Sequence, residues 1–245
     1  MIVNLQSQGW EVIYHRAHAL LAAQIAGYWD VDQKSYRLYE TIAAISHHDD
    51  LEKEWEDDQL TAAGAPLDFT LKQETAPDQL QRHVEEALYR GRWVALLTSM
   101  HLCFLNQDKA STSQDIAGFL TEQHRRQAAW RDQLDVSKEK AIAAYDFMRW
   151  CDRLSLILCQ RQVPSAGRTL EITTGPDGQD YWIRQTEAGQ YCIEPWPFTP
   201  DTLTVNVDAC YLSTLQFTSN DELTSALKSA PRQLIFWTLT SPSND

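Results

Sequence analysis

Basic residues are scarce in this chain: 21 Lys and Arg stand against 34 Asp and Glu in 245 residues, a formal charge of −13. The stretches before and after Pro164 are both acidic. Non-specific nucleic-acid binding relies on cations displacing counterions from phosphates, so no nucleic-acid partner is expected. An anionic substrate would need a metal or a local arginine cluster to reverse the field in its cleft. Cysteine is sparse too. The five residues Cys103, Cys151, Cys159, Cys192 and Cys210 include no CxxC pair, and three lie in apolar helical stretches. That pattern excludes a zinc knuckle or disulfide framework and fits a reducing compartment. No run approaches the ~20 apolar residues of a membrane span. The opening MIVNLQSQGW also lacks the charged and apolar regions of a signal peptide, so a cytoplasmic protein without a membrane partner is expected. What is present is enough apolar residue, 43% with 10% aromatic, for a packed core.

Two β-type runs, Met1–Leu5 and Trp10–Tyr14, flank Gln-Ser-Gln-Gly and read as a hairpin. Helical spacing of apolar residues then predicts helices over His15–Trp29, Ser35–Trp55, Asp78–Leu105 with a break possible at Gly91, Ser113–Leu134 and Lys138–Arg161. Residues 57–78, with Gly64, Pro66 and Pro77, read as a long loop of the kind that covers functional sites. Beyond Pro164 the pattern turns to strands: Thr169–Thr174, Tyr181–Gln185, Gln190–Glu194, Thr202–Tyr211 and Gln233–Leu239. A short helix begins at Asn220. The expected fold is α+β, a mainly α-helical bundle with the N-terminal hairpin joining a C-terminal antiparallel sheet. Residues 1–164 form its helical part and 165–245 its β-rich part, packed as one unit.

Chemistry is suggested by polar residues at positions that call for burial. His48 and Asp49 extend the apolar stripe of Ile45, Asp152 stands in register between Met148 and Leu156, and His101 lies in Leu96–Leu102. His18 falls between Tyr14 and Leu21. A buried carboxylate without a partner costs several kcal/mol, so Asp49 and Asp152 need compensation. A divalent cation held by imidazole nitrogen and carboxylate oxygen would supply it, since packed helices ~8–10 Å apart let side chains converge. The bland reading is a buried polar network in which each Asp caps or pairs with a neighbour such as Arg149 or Arg153. His15 and His47 read as flanking residues. On one continuous helix His83 would stand roughly 27 Å from His101, which excludes a shared ion unless the helix breaks near Gly91.

The order of one early His, His-Asp, a further His and a late Asp resembles the histidine–aspartate superfamily of metal-dependent phosphohydrolases. That resemblance implies His18, His48, Asp49 and Asp152 as metal ligands, with His101 on a second metal or the phosphate. The whole chain also resembles a bacterial family, domain of unknown function 3891. The matching stretches are His18-Ala19, His48-Asp49-Asp50 with Trp55-Glu56, Ser99-Met100-His101, and Asp152 to Leu156. It brings no assigned activity, and the family's usual Gly after His-Asp-Asp is Leu51 here.

The expected function is therefore hydrolysis of a phosphate ester or nucleotide-type small molecule with a divalent ion (Mn, Fe, Zn, Ni or Mg). A metal lowers the pKa of bound water toward ~7 and polarises the phosphoryl oxygen. Asp50 is the candidate base or orienting residue, with His101 beside it as a second catalytic candidate. Arg153 and Arg125 (or Arg126) are the candidate phosphate contacts. The first alternative is a non-catalytic metal- or ligand-binding sensor or interaction protein. The second is a metal-free enzyme using Cys151 or Cys103, although neither thiol has a base at local spacing. Either a monomer or an oligomer is compatible with the sequence.

Overall fold

A computed structural model describes residues 1–30, 37–51, 53–56, 58–71 and 76–242. The strands are β1 (Ile2–Gln6), β2 (Gly9–Ile13), β3 (Thr169–Thr174), β4 (Asp180–Gln185), β5 (Tyr191–Glu194), β6 (Thr202–Leu212) and β7 (Arg232–Thr240). The helices are α1 (His15–Tyr28), α2 (Leu38–His47), α3 (Pro77–Ala87), α4 (Arg92–Asn106), α5 (Gln114–Leu134), α6 (Lys138–Cys159) and α7 (Asn220–Ser229).

The fold departs from the class expected from sequence. The protein is not a mainly helical bundle with an antiparallel C-terminal sheet. It is an α+β fold built on one seven-stranded mixed sheet, in the order β1-β2-β6-β7-β5-β4-β3. The pair β5/β7 is parallel, and the other pairs are antiparallel. The cause is a non-local insertion. After β6, helix α7 returns the chain so that β7 slots between β6 and β5. Strands β5 and β6, consecutive in the chain, are therefore kept apart in the sheet by β7, which a strand-by-strand reading cannot detect.

Strand β6 shows how the layers form. Its odd positions Leu203, Val205, Val207 and Ala209 face the helices and join the main core, while Cys210 and Leu212 face the other way and pack with α7. The two-residue period makes this partition automatic. On the helix side α1 and α6 lie nearest the sheet, with α2 and α4 beyond them and α3 and α5 outermost. Trp29, Phe147, Trp150, Tyr181 and Phe198 interlock between helices and sheet, with the Trp29–Trp150 ring centroids 4.7 Å apart.

The N-terminal hairpin pairs with β6 through Trp10–Val12. At its turn, Gly9 has φ +131°, and a Cβ there would sit 1.9 Å from the Leu212 carbonyl oxygen. Gly9→Ala is therefore expected to cost at least about 2 kcal/mol, read as a lowered urea midpoint. An unchanged midpoint would mean the hairpin is not held against β6.

Two helix boundaries differ from expectation. The second helix ends at His47 rather than running to Trp55, because side chains take the carbonyls that would continue it. His48 Nδ1 bonds Ile45 O, His83 Nε2 bonds His48 O, and Arg16 bonds Asp50 O. Its expected start at Ser35 lies outside the described residues. The helix expected over Asp78–Leu105 is two helices, broken where Gly91 adopts φ 118°.

Candidate metal centre

Four elements meet at one point. Helix α1 presents His18, the turn after α2 presents His48 and Asp49, α4 presents His101 and α6 presents Asp152. Single donor atoms of His18, His48 and Asp152 lie within 4.8 Å of one another, and so do those of His48, Asp49 and His101. The individual contacts are His18 Nε2–Asp49 Oδ2 at 2.5 Å, His48 Nε2–Asp152 Oδ1 at 3.1 Å and His48 Nε2–Asp49 Oδ2 at 3.6 Å. Donors sharing an ion at bonds of ~2.0–2.2 Å sit roughly 3–3.5 Å apart. The two His48 contacts are close to that spacing.

The surroundings set the imidazole tautomers. Ser155 spends its hydroxyl proton on the Asp152 carbonyl at 2.8 Å, so it accepts from His18 Nδ1–H at 2.9 Å. The Ile45 carbonyl likewise accepts from His48 Nδ1–H at 2.5 Å. Both rings therefore turn Nε2 toward the carboxylates. A neutral ring in that tautomer sets a lone pair against a carboxylate oxygen, an arrangement that requires a proton or a cation between them. Outer hydrogen bonds of this kind orient metal-binding histidines. Ser155→Ala is accordingly expected to weaken metal affinity by about 10–100-fold with the fold intact. Chelator competition reads this directly, and equal affinity would remove Ser155 from the site.

Charge sharpens the contrast. Glu11 is a buried carboxylate answered by an arginine: Arg161 bonds both its oxygens at 2.9 and 2.6 Å, and Tyr211 adds a third contact at 3.1 Å. Among the described residues, no Lys or Arg pairs with Asp49 or Asp152, and only imidazoles do. Burial works to raise both carboxyl pKa values, but the neighbouring histidines outweigh it and hold both below the usual range. Burial also works to lower His48, yet the Asp49 and Asp152 carboxylates outweigh it and hold it up at about 10. Burial lowers His18, and it lowers His101 to about 4 with the nearby His48 adding to the effect. The cluster thus has one strongly basic imidazole and two whose pKa burial lowers. Its donors, two carboxylates and three imidazoles, suit a borderline divalent ion.

Asp50 points away from the cluster: His47 Nδ1 bonds it at 2.5 Å and Arg90 at 3.2 Å, with Arg16 at 3.5 Å. Burial raises its pKa, but these partners pull it down overall. Arg153 follows Asp152 on α6 and forms no ion pair among the described residues. Arg125 is bound to Glu122 on the exposed face of α5. His15 packs edge-on against His18 at 5.9 Å and donates its backbone N–H to Glu54. Cys151 is pushed well above the ordinary thiol range by burial, and Cys103 to about 11. Both are poor nucleophiles as they stand.

Sequence reasoning missed three groups that border the cluster. The helix break at Gly91 lets His83 turn back and bond the His48 carbonyl at 2.9 Å, with its ring 4.7 Å from that of His47. Arg16 and Arg90 converge on Asp50 from different elements. Arg16 lies two residues before His18 and Arg90 next to Gly91, signals visible only once those neighbours are known to meet.

The model of a family described as "Protein of unknown function (DUF3891)" matches residues 1–214. No curated protein and no solved structure matches the chain.

Proposed function

We propose that this chain, which belongs to the DUF3891 family of proteins of unknown function, is a metal-dependent hydrolase of phosphate esters. The observation that carries this reading is the meeting of Asp49 and Asp152 with inward-turned imidazoles and no arginine or lysine among the described residues to neutralise them. His18, His48, Asp49 and Asp152 would hold the ion, and the order of these residues is the one that resembles the histidine–aspartate phosphohydrolases. A bound divalent ion supplies an acidified water and a polarised phosphoryl oxygen.

The chain's own groups supply the rest. Asp49, with its side chain 23% exposed, is the ligand that solvent reaches most readily. Arg16 and Arg90, 51% and 46% exposed, stand beside it on Asp50 and can turn to substrate phosphate oxygens in charge-assisted hydrogen bonds. Asp50 serves in this reading as the anchor that holds both guanidinium groups at the rim. His101, neutral near pH 7, accepts a hydrogen bond from the attacking water. Water adds to phosphorus and passes one proton to His101, the bond to the leaving oxygen breaks, and the displaced alkoxide takes a proton from solvent to leave as the alcohol.

A non-catalytic metal site is the second reading, favoured by the near-complete burial of His18, His48 and Asp152. A panel of phosphomonoesters and phosphodiesters, with Mn²⁺, Fe²⁺ or Ni²⁺ supplied in turn, separates the two. Turnover of any ester supports hydrolysis. Metal binding with no turnover supports the second reading.

Loading should also depend on pH. His48 must give up its proton to bind an ion, so binding releases a proton and affinity rises by about tenfold per pH unit below pH 10. In chelated protein the sign reverses. A folded pKa raised above the unfolded value stabilises fully below about 6.5, and that stability is lost as pH rises through about 10. Melting of chelated protein across pH 7–10 checks this, and a flat profile would contradict a protonated His48.

A further inference from the structure

Beside the cluster lies a cavity of about 420 Å³, lined by Tyr14, Arg16, Ala17, Lys53, Glu54 and Trp55, among others. That volume is within the roughly 300–1,000 Å³ of small-ligand sites. Resting on the hydrolase reading above, we infer that this cavity is the subsite for a planar aromatic ring carried by the phosphorylated substrate.

Three observations carry the inference. The cavity adjoins the cluster along the chain, because Arg16 and Ala17 directly precede His18, and the Arg16 guanidinium bonds the Asp50 carbonyl at 2.7 Å. A phosphate at the Asp49 edge would thus have one cavity-lining arginine within reach, and the remainder of the molecule would extend toward Trp55.

The second observation is an aromatic platform that is exposed yet held. Trp55 is 47% exposed. Its indole N–H donates to the Tyr14 hydroxyl at 3.0 Å, and the two rings meet edge to face with centroids 6.0 Å apart. A large aromatic side chain kept in one orientation while half open to solvent is organised for a ring partner.

The third is charge. In a chain of net −13, Arg16 and Lys53 line the cavity. The Lys228 ammonium lies 5.4 Å from the Trp55 ring centre, and the Arg232 guanidinium 5.4 Å from that of Tyr14. Positive groups around an aromatic wall favour a ligand that is both aromatic and anionic. Glu54 and Glu56 also border the space, and Lys53 pairs with Glu56 at 3.3 Å, which leaves Arg16, on the side toward Asp50, as the cavity-lining cation that would meet the phosphate.

The test is calorimetric titration of Mn²⁺-loaded full-length protein with adenosine 5′-monophosphate, phenyl phosphate and ribose 5-phosphate, and separately with adenosine alone. The expected result is that at least one aromatic ester binds about tenfold or more tighter than ribose 5-phosphate. Trp55→Ala should collapse that ratio toward one, while Trp55→Phe retains most of it. Equal affinities in wild type, or an unchanged ratio in Trp55→Ala, would overturn the subsite. Binding of adenosine that Trp55→Ala abolishes, with no ester bound more tightly in the presence of Mn²⁺, would sustain the ring subsite and defeat the hydrolase reading.

Discussion

Asp49→Asn should strip the protein of its divalent ion and reduce phosphate-ester turnover by about 10³-fold or more, equivalent to about 4 kcal/mol of transition-state stabilisation. Asp49 is the residue on which two imidazoles depend: His18 Nε2 is 2.5 Å away and His48 Nε2 3.6 Å. Asparagine keeps the shape and removes the charge, so the helices should still pack and circular dichroism should be unchanged. Without that carboxylate the proton on His48 loses one of its two anionic supports, and the cation loses a ligand. Metal content and turnover should therefore fall together. If wild type and Asp49→Asn are equally inactive on every ester with every metal, the enzymatic reading fails. If turnover survives in the variant, Asp49 is not a ligand that matters.

The second large effect concerns the frame that holds the site. Trp150→Ala should destabilise the protein by about 3–5 kcal/mol, a fall in Tm on the order of 10 °C for a chain of this size. Trp150 is fully buried on α6, two residues before Asp152, with ring contacts to Trp29 at 4.7 Å, Tyr181 at 5.3 Å and Phe198 at 5.9 Å. It joins helices α1 and α6 to the sheet, so removing it opens a cavity between the helical and β-rich parts. We expect residues 1–164 and 165–245 to unfold as one unit, with far-ultraviolet and tryptophan signals shifting together. A variant whose helical signal melts first, leaving the sheet intact, would show two independent units.

Local patterns were legible in the sequence where a single period dominates. The strands Thr169–Thr174 and Thr202–Tyr211 and the helices after Ser113 and Lys138 follow from apolar spacing, and their limits agree with the structure to within a residue or two. Sheet order was not legible. The insertion of β7 between β6 and β5 depends on contacts between residues such as Val205 and Trp237, which no local window contains. The end of α2 was hidden for a related reason. Three carbonyls there are taken by side chains, two of them from distant elements, Arg16 and His83. His48, Asp49 and Asp152 stood out because each is polar at a position that the apolar stripe marks for burial. Arg16 and Arg90 gave no such signal, since an exposed arginine on a helix or turn is ordinary. Six of the seven histidines lie at or beside the cluster, all but His124. Spacing along the chain could not have revealed this, because the break at Gly91 folds His83 back onto its neighbours.

Metal analysis of protein purified without a histidine tag, followed by titration of the chelated form with Mn²⁺ and Zn²⁺, bears most directly on whether these carboxylates and imidazoles form a cation site. Wild type should retain or rebind a divalent ion at sub-micromolar affinity with release of a proton, and His48→Gln and Asp152→Asn should both lose it. Chelated wild type that takes up no ion at micromolar concentrations would show that the buried acids are balanced by protonated histidine alone.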